Sequence, residues 1–337
     1  EFNGINVKTL ICRERVDNMR LNFAKIGRLV LNNSSFLDGS FTADTISLMG
    51  GATYEFGGGK VITVNKLLDW KGSCGRHVNI RSNSPGTPVE FVINTPNTQN
   101  IDYCRLHHLK FTGSSTVTAT NHISTTTVSG LGSTNNLVAK FYFWVGQTGK
   151  WSDPSNWSFS TGGPSQTCIP GPLDYVVFDK NSFTNNLDTL YLDLRENTCF
   201  QINYAATANT SFFHSTDSNT LRTTGNILFY SKPENDMKGR WIINNSASSV
   251  NSLKSSNFPF SRLEIDCESD ISGVGLFDSL TVLGFTDGLH YEALTLKSGV
   301  LVTSNQSVNT RKFASYGQIS RQLKLGTSNL YMRDAWE

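Results

Sequence analysis

Short segments in which apolar and polar residues alternate follow one another along almost the whole chain. Examples are residues 41–48, 60–67 and 189–194, and each segment ends at Gly, Asn, Ser or Pro. A period of two places successive side chains on opposite faces, which is the pattern of half-buried strands. The best helical candidate, residues 16–26, suits a pair of strands equally well. The sequence therefore predicts an all-β protein.

The spacing of these segments indicates how the strands are arranged. Strand starts recur about every 10–13 residues, so that two or three strands occupy about 20–35 residues, a period typical of stacked β-coils. We therefore predict right-handed parallel β-helix (β-solenoid) units. The tight corners of such coils need residues that tolerate positive φ, and Asn32-Asn33, Asn185-Asn186 and the run 57–59 lie between strands. An array of β-sandwiches shares this alternation and remains the alternative.

Composition and charge exclude several functions. The formal net charge is +2 and charged residues make up 17% of the chain, so that no basic surface is expected for nucleic acid or for an anionic membrane. No stretch approaches the roughly 18 consecutive apolar residues of a membrane span, and we expect no membrane insertion. A phosphate-binding glycine loop, a serine nucleophile elbow and a zinc-protease helix motif are all missing, and we expect neither a cofactor nor a metal.

Three tryptophans lie within fourteen residues, in the pattern W-x-G-x-x-G-x-W-x-D-P-x-N-W over residues 144–157. Asp153 and Pro154 predict a turn, around which Trp144, Trp151 and Trp157 would pack as a small core. Stacking of these indoles on a sugar ring is the weaker interpretation, and it makes them candidate ligand-binding residues. The preceding run 115–136 is rich in Thr, Ser, Gly and Asn, which predicts a boundary between modules near residues 138–143.

This opening, together with I-P-G-P-x-D-x-V-x-F-D at residues 169–179, resembles repeat units of the long, adhesin-like cell-surface proteins that Bacteroidetes secrete, typically by the type IX pathway. Weaker matches extend over most of the chain. The resemblance implies that residues 1–138 are the C-terminal part of one β-solenoid unit. Residues 139–183 would then be a Trp-rich junction that opens the next unit, and residues 184–337 the N-terminal part of that unit.

The same resemblance implies a location and partners. The protein would lie outside the cell or on the bacterial surface, perform an adhesive role of the kind used in gliding motility, and pass through the secretion machinery. Its partners would be extracellular glycans, surfaces or neighbouring copies of itself. Proteins of this phylum carry O-glycans at Asp-Ser/Thr-apolar sequences, and Thr45, Thr189 and Ser279 fit that short pattern.

The six cysteines form no Cys-x-x-Cys pair, which argues against structural zinc and suits a secreted protein with few disulfides. Cys168 and Cys199 lie at the edges of one turn-rich stretch, and we predict a disulfide between them. The pairing of Cys12, Cys74, Cys104 and Cys267 stays open, because the sequence supports buried thiols and further bonds equally.

Two clusters contain the residue types that catalysis or metal binding needs. Asp266 could act with Glu268 or with Glu264 as the carboxylate pair of a glycosidase. The same acidic cluster is also typical of a strand edge exposed to solvent. Cys104, His107 and His108 are close in sequence, but in a strand Cys104 and His108 face one side and His107 the other, which favours packing over metal binding. We therefore expect a non-enzymatic structural segment of an extracellular adhesin, stalk or fibre. The alternative is a polysaccharide-processing β-helix enzyme or a glycan-binding module.

Overall fold

The computed structural model describes residues 1–84, 86–124, 127–205, 209–245, 249–267, 269–284, 293–317 and 320–336. The chain divides into two compact units, Glu1–Val138 (unit 1) and Ala139–Glu337 (unit 2). About 57% of the residues are in strands, and the described ranges contain no α-helix. None of the described residues form a helix that is long and apolar enough to cross a membrane.

The strands of unit 1 are β1 (Phe2–Asn3), β2 (Asn6–Cys12), β3 (Val16–Asn22), β4 (Lys25–Leu31), β5 (Ser35–Asp38), β6 (Phe41–Met49), β7 (Ala52–Phe56), β8 (Val61–Lys71), β9 (Val78–Ser82), β10 (Val89–Ile93), β11 (Gln99–Asp102), β12 (Cys104–His107), β13 (Leu109–Gly113), β14 (Val117–Ser124) and β15 (Leu131–Asn136).

Unit 2 contains β16 (Phe141–Trp144), β17 (Gly149–Lys150), a 3-10 turn (Pro154–Asn156), β18 (Trp157–Ser158), β19 (Tyr175–Phe178), β20 (Asp188–Tyr191), β21 (Glu196–Cys199), β22 (Gln201–Tyr204), β23 (Ser211–Ser215), β24 (Thr220–Thr223), β25 (Ile227–Phe229), β26 (Glu234–Met237), β27 (Arg240–Ile243), β28 (Val250–Lys254), β29 (Pro259–Phe260), β30 (Leu263–Asp266), β31 (Gly273–Leu276), β32 (Leu280–Val282), β33 (Leu294–Val302), β34 (Val308–Ser315), β35 (Arg321–Lys324) and β36 (Leu330–Trp336).

Both units are β-solenoids, with about 14 turns in all. Among the named strands of the described residues, every pair is parallel except β16 with β18. This confirms the predicted all-β solenoid. The sandwich array is wrong, because its hairpins and Greek keys would give antiparallel pairs.

In unit 1, strands of successive coils alternate between two layers, which β14 joins into one 15-stranded sheet. Equivalent side chains of successive coils stack on one another inside. Leu29 of β4 pairs with Ile46 of β6, which pairs with Leu68 of β8, and all three are buried. The alternation seen in the sequence thus directs every second side chain inward, and equivalent inward side chains of successive coils form an apolar column. Each coil covers the core of the previous one.

Unit 2 has three faces. Face a contains β16, β19, β22, β25, β28, β31, part of β33, and β35. Face b contains β21, β24, β27, β30, part of β33, β34 and β36. Face c is a separate four-stranded sheet of β17, β20, β23 and β26. Residues 139–183, predicted as a junction, share the hydrophobic core of this unit.

The corners differ in part from the expected positions. Positive φ occurs at Asn257 and Asn305, as expected for Asn, but Leu187 adopts it rather than the preceding Asn185-Asn186 pair. Phe23 also has a positive φ, of 55°, although bulky side chains disfavour this region. Gly113 is required where it stands, because a Cβ there would lie 2.4 Å from the carbonyl oxygen of Ile93.

Candidate functional site

The predicted tryptophan cluster packs edge to face inside unit 2. The ring centroids of Trp144 and Trp157 are 5.0 Å apart and those of Trp151 and Trp157 are 4.8 Å apart, with interplanar angles of 79° and 73°. The Trp144 indole N–H donates to the carbonyl oxygen of Gln147 at 3.0 Å, and that of Trp157 donates to the carbonyl oxygen of Trp151 at 2.9 Å. These contacts fix the indoles in one arrangement.

The turn between the tryptophans explains the other residues of the motif. Asp153 caps the 3-10 turn and accepts hydrogen bonds from the Ser155 hydroxyl and backbone N–H, which lower the pKa of its carboxyl group. Asn156 donates to the carbonyl oxygen of Lys150. A Cβ at Gly146 or Gly149 would lie 2.4 Å from the Asn156 carboxamide. The two glycines therefore make room for the asparagine that holds the turn.

The burial of the indoles decides between the two interpretations of the cluster. Trp144, Trp151 and Trp157 are each 0% exposed. A sugar ring needs an exposed aromatic face for stacking, and none of the three offers one without unfolding of the unit. The candidate ligand-binding role of these residues is therefore contradicted, and the cluster forms part of the core.

The predicted Cys168–Cys199 disulfide is wrong. Cys199 ends β21 with its side chain inside the core of unit 2, and it is a free thiol. Burial, together with the nearby charge of Asp174, raises the pKa of this thiol well above its usual value. Cys168 packs on the outside of the same core and forms a disulfide with a cysteine other than Cys199. The position of Cys199 in β21 directs its side chain into the core and away from the turn-rich stretch from which the disulfide was predicted.

The three candidate O-glycosylation residues, Thr45, Thr189 and Ser279, are partly exposed. At two of these sites the preceding aspartate connects chain segments. Asp188 accepts the hydroxyl of Thr148 from a distant segment at 3.2 Å, and Asp278 accepts two backbone N–H groups from the previous coil, each at 2.7 Å. The Asp-Ser/Thr pattern thus has a structural use in this fold, while glycosylation stays a prediction.

The acidic cluster on β30 contains a buried ion network. Glu264 is 3% exposed, and its two carboxylate oxygens lie 3.0 Å from the Arg240 guanidinium and 3.0 Å from the Lys297 ammonium. These partners come from β27 and β33, so that one carboxylate connects three successive coils. Asp266 lies at the end of the same strand, and Glu268 lies outside the described residues. The geometry of Glu264 suits a structural tie better than an acid that must meet substrate.

Cys104, His107 and His108 do not form a metal site. Cys104 points into the core of unit 1, where burial raises the pKa of its thiol, while His108 occupies a corner with a φ of 52°. The imidazoles of His107 and His108 pack against each other, with centroids 4.0 Å apart. Within the described ranges no group of three or more His, Cys, Asp or Glu side chains could hold a metal ion.

Sequence reasoning missed a row of polar residues on face c. Lys150, Tyr191, His214 and Asp236 occupy equivalent positions on β17, β20, β23 and β26. His214 Nδ1 lies 2.6 Å from the Asp236 carboxylate, and the Tyr191 ring packs edge-on against the imidazole, with centroids 5.2 Å apart. The four residues are spread over almost ninety positions of the sequence, so only the register of the coils brings them together.

A second missed group, on face a, places a lysine between two aromatic rings. The Nζ atom of Lys254 lies 4.5 Å from the ring centroid of Tyr230 and 5.3 Å from that of Phe277. Both rings are largely exposed to solvent. We call these three residues the aromatic–lysine column.

The chain matches no protein-family model, no curated protein and no solved structure.

Proposed function

We propose that the chain is a non-enzymatic structural segment of a long extracellular cell-surface adhesin, stalk or fibre. The observation that carries this proposal is the continuous parallel stacking of coils in each unit. In such an architecture each coil contacts chiefly its neighbours and adds about 4.8 Å along the axis of its unit. A repeated element of this kind sets length and stiffness, which are the properties that a stalk needs.

Polar ties between coils support a mechanical role. Ser152 of one coil donates its hydroxyl to Asp193 of the next at 2.6 Å, and Asp278 receives the hydroxyl of Ser255 at 2.9 Å. The buried Glu264 network adds a third tie. Charge-assisted hydrogen bonds are roughly twice as strong as neutral ones, so that they resist sliding of one coil over another.

The disulfide of Cys168 supports the proposed extracellular location. Disulfides persist in oxidising compartments and are rare in reducing ones. The low charge content and the Ser-, Thr- and Asn-rich surface agree with a protein that works in contact with water. The resemblance to secreted repeat-bearing proteins adds the expectation of surface attachment.

Single-molecule force spectroscopy tests the stalk hypothesis. The chain is held by its two ends and stretched. We expect stepwise lengthening, with steps of about 80 Å in unit 2, because a coil there takes about 25 residues of 3.3–3.6 Å each. Collapse of the whole chain in one low-force step would contradict a mechanical role.

An activity assay tests the enzymatic alternative. The chain is incubated with a panel of neutral and acidic polysaccharides, and new reducing ends and unsaturated products are measured. We expect no product. If product appears, the variants Y191F and D236N show whether the face c row is responsible, because a positioned His–Asp pair is a common general base.

A glycan-binding module is the second candidate function. The observation that favours it is the pair of exposed aromatic rings in the aromatic–lysine column, because exposed rings can stack on sugars whereas the buried tryptophans cannot. Binding and stiffness are compatible in one segment, and an adhesin needs both.

A further inference from the structure

The aromatic–lysine column exposes more aromatic surface than a solenoid face requires. Tyr230 is 53% exposed and Phe277 is 65% exposed. Scattered exposed apolar residues are normal, but these two rings lie on either side of one cation, with their centroids 4.5 Å and 5.3 Å from its Nζ atom. An arrangement of this kind is typical of a recognition surface.

The coil register positions the three side chains. Leu228 of β25 pairs with Lys254 of β28, and Leu253 pairs with Leu276 of β31. Tyr230 is the first residue after β25, Lys254 is the last residue of β28, and Phe277 is the first residue after β31. The three residues therefore come from three successive coils. The two aromatic positions are therefore separated by two coil rises, or about 10 Å along the axis of unit 2. This spacing is close to the length of an extended disaccharide.

The ammonium group of Lys254 forms no ion pair with the described residues. The acidic residue that follows Phe277 in the sequence is Asp278, whose carboxylate accepts hydrogen bonds from the backbone N–H groups of Ser255 and Ser256. Both oxygens of that carboxylate are therefore engaged in hydrogen bonds to the backbone. The ammonium group stays between the two rings, where cation–π attraction holds it in place and leaves its charge for a ligand.

We propose that the aromatic–lysine column binds an acidic polysaccharide. The rings of Tyr230 and Phe277 would pack against the apolar faces of sugar rings, and the ammonium group of Lys254 would pair with a carboxylate or sulfate group of the polymer. One lysine between two rings does not suit nucleic acid, which needs several cations along a phosphate backbone. This inference rests on the proposed adhesin function and names the ligand class for it.

Affinity electrophoresis of the full chain tests the proposal, with three polymers cast in the gel. Polygalacturonate supplies carboxylates, dextran sulfate supplies sulfates, and a neutral β-glucan supplies sugar rings alone. The variants are Y230A, F277A and K254Q. We expect each variant to weaken binding to the preferred acidic polymer by about 3- to 10-fold, the range for loss of one aromatic or cation–π contact.

Matched controls separate this site from general effects. K180Q removes an exposed lysine of the same unit that makes no cation–π contact with a described ring, and F2A removes an exposed phenylalanine of unit 1. Both should bind as the unchanged chain does. K254R keeps the charge and should retain binding. Circular dichroism and thermal melting confirm that each variant is folded before binding is compared.

Several outcomes would overturn the proposal. The first is an absence of acidic polysaccharide binding by the unchanged chain, and the second is equal binding by the three variants. Equal binding to polyglutamate, which has charge but no sugar rings, would show a purely electrostatic contact. Weaker self-association of the variants in sedimentation, without polysaccharide binding, would assign the column to contacts between copies. None of these results affects the force measurement, so failure of the site is distinguishable from failure of the stalk hypothesis.

Discussion

Units 1 and 2 enclose hydrophobic cores of different composition. The core of unit 1 is mainly aliphatic, with a few large rings, among them Tyr54, Phe56, Trp70 and Phe91. The core of unit 2 is dominated by aromatic side chains over its first coils, where the residues include Trp144, Trp151, Trp157, Phe178, Phe183, Tyr204, Phe213, Phe229 and Trp241. Both cores are nevertheless formed by the same stacking of equivalent positions.

The difference follows from the size of the coil. In unit 1 the coil lengthens from about 17 residues, between Lys25 and Thr42, to about 29 residues, between Ile62 and Phe91, and the large rings Trp70 and Phe91 belong to this longer part. Unit 2 has coils of about 25 residues already near its start, as between Ile202 and Ile227. The extra residues supply face c. A coil with three faces encloses a wider cross-section, and protein interiors tolerate few voids, so larger side chains are needed to fill it. The aromatic residues of unit 2 are thus a packing requirement of its third face.

The largest expected effect tests this packing requirement. Trp157 contacts both other tryptophans of the cluster, and its replacement in W157A should lower the free energy of unfolding of unit 2 by about 3–5 kcal/mol, because the wide coil cannot collapse around the cavity. Urea unfolding followed by circular dichroism measures it. F159A, at a ring 42% exposed, is the control and should cost less than about 1 kcal/mol. An equal loss of unfolding free energy in W157A and F159A would contradict the view that the wide coil needs large side chains to fill it.

The second effect belongs to unit 1 and depends on pH. His77 is buried beside Tyr103, and neither ring nitrogen has a hydrogen-bond partner in the described structure. Burial, reinforced by the charge of Arg105, lowers the pKa of His77 from 6.5 to about 4. The stability from this group is therefore complete above pH 6.5. It is lost as the pH falls towards 4, because the unfolded chain takes up the proton first.

The expected loss is about 3 kcal/mol, since one pKa unit corresponds to about 1.4 kcal/mol. Urea unfolding at pH 7, 5.5 and 4.5 measures it. H77F removes the titrating group and should flatten this part of the pH dependence, while carboxylates that titrate near pH 4 affect both proteins alike. A slope unchanged in H77F would show that another group causes the acid sensitivity of unit 1.

The sequence predicted which segments form strands better than it predicted which residues of different coils come into contact. Alternation over β6 and the turn at Asp153 and Pro154 are local signals, and they led to the strands and to the packed tryptophan cluster. The pairing of Tyr191 with His214, in contrast, depends on how many residues each coil and corner consume, and a change of one residue would shift the whole row. The error over Cys199 has the same origin, because the direction of its side chain follows from the strand register.

Exposed corner residues give a smaller test that applies to both units. Phe23 in unit 1 and Leu187 in unit 2 adopt positive φ values of 55° and 72° and are 78% and 65% exposed. A non-glycine residue in this region costs about 1–2 kcal/mol, and glycine costs about 0.5–1 kcal/mol through the entropy of the unfolded chain.

F23G and L187G should therefore each stabilise their unit by about 0.5–1 kcal/mol, measured by urea unfolding. V138G, at an exposed position where positive φ does not occur, serves as the control and should give no gain. If stability rises while adhesion of the chain to a surface falls, the strained residues are kept for contact with a partner. Loss of stability in both variants would instead show that the side chains cover the coil corners, and the two units would then share a way of protecting their corners.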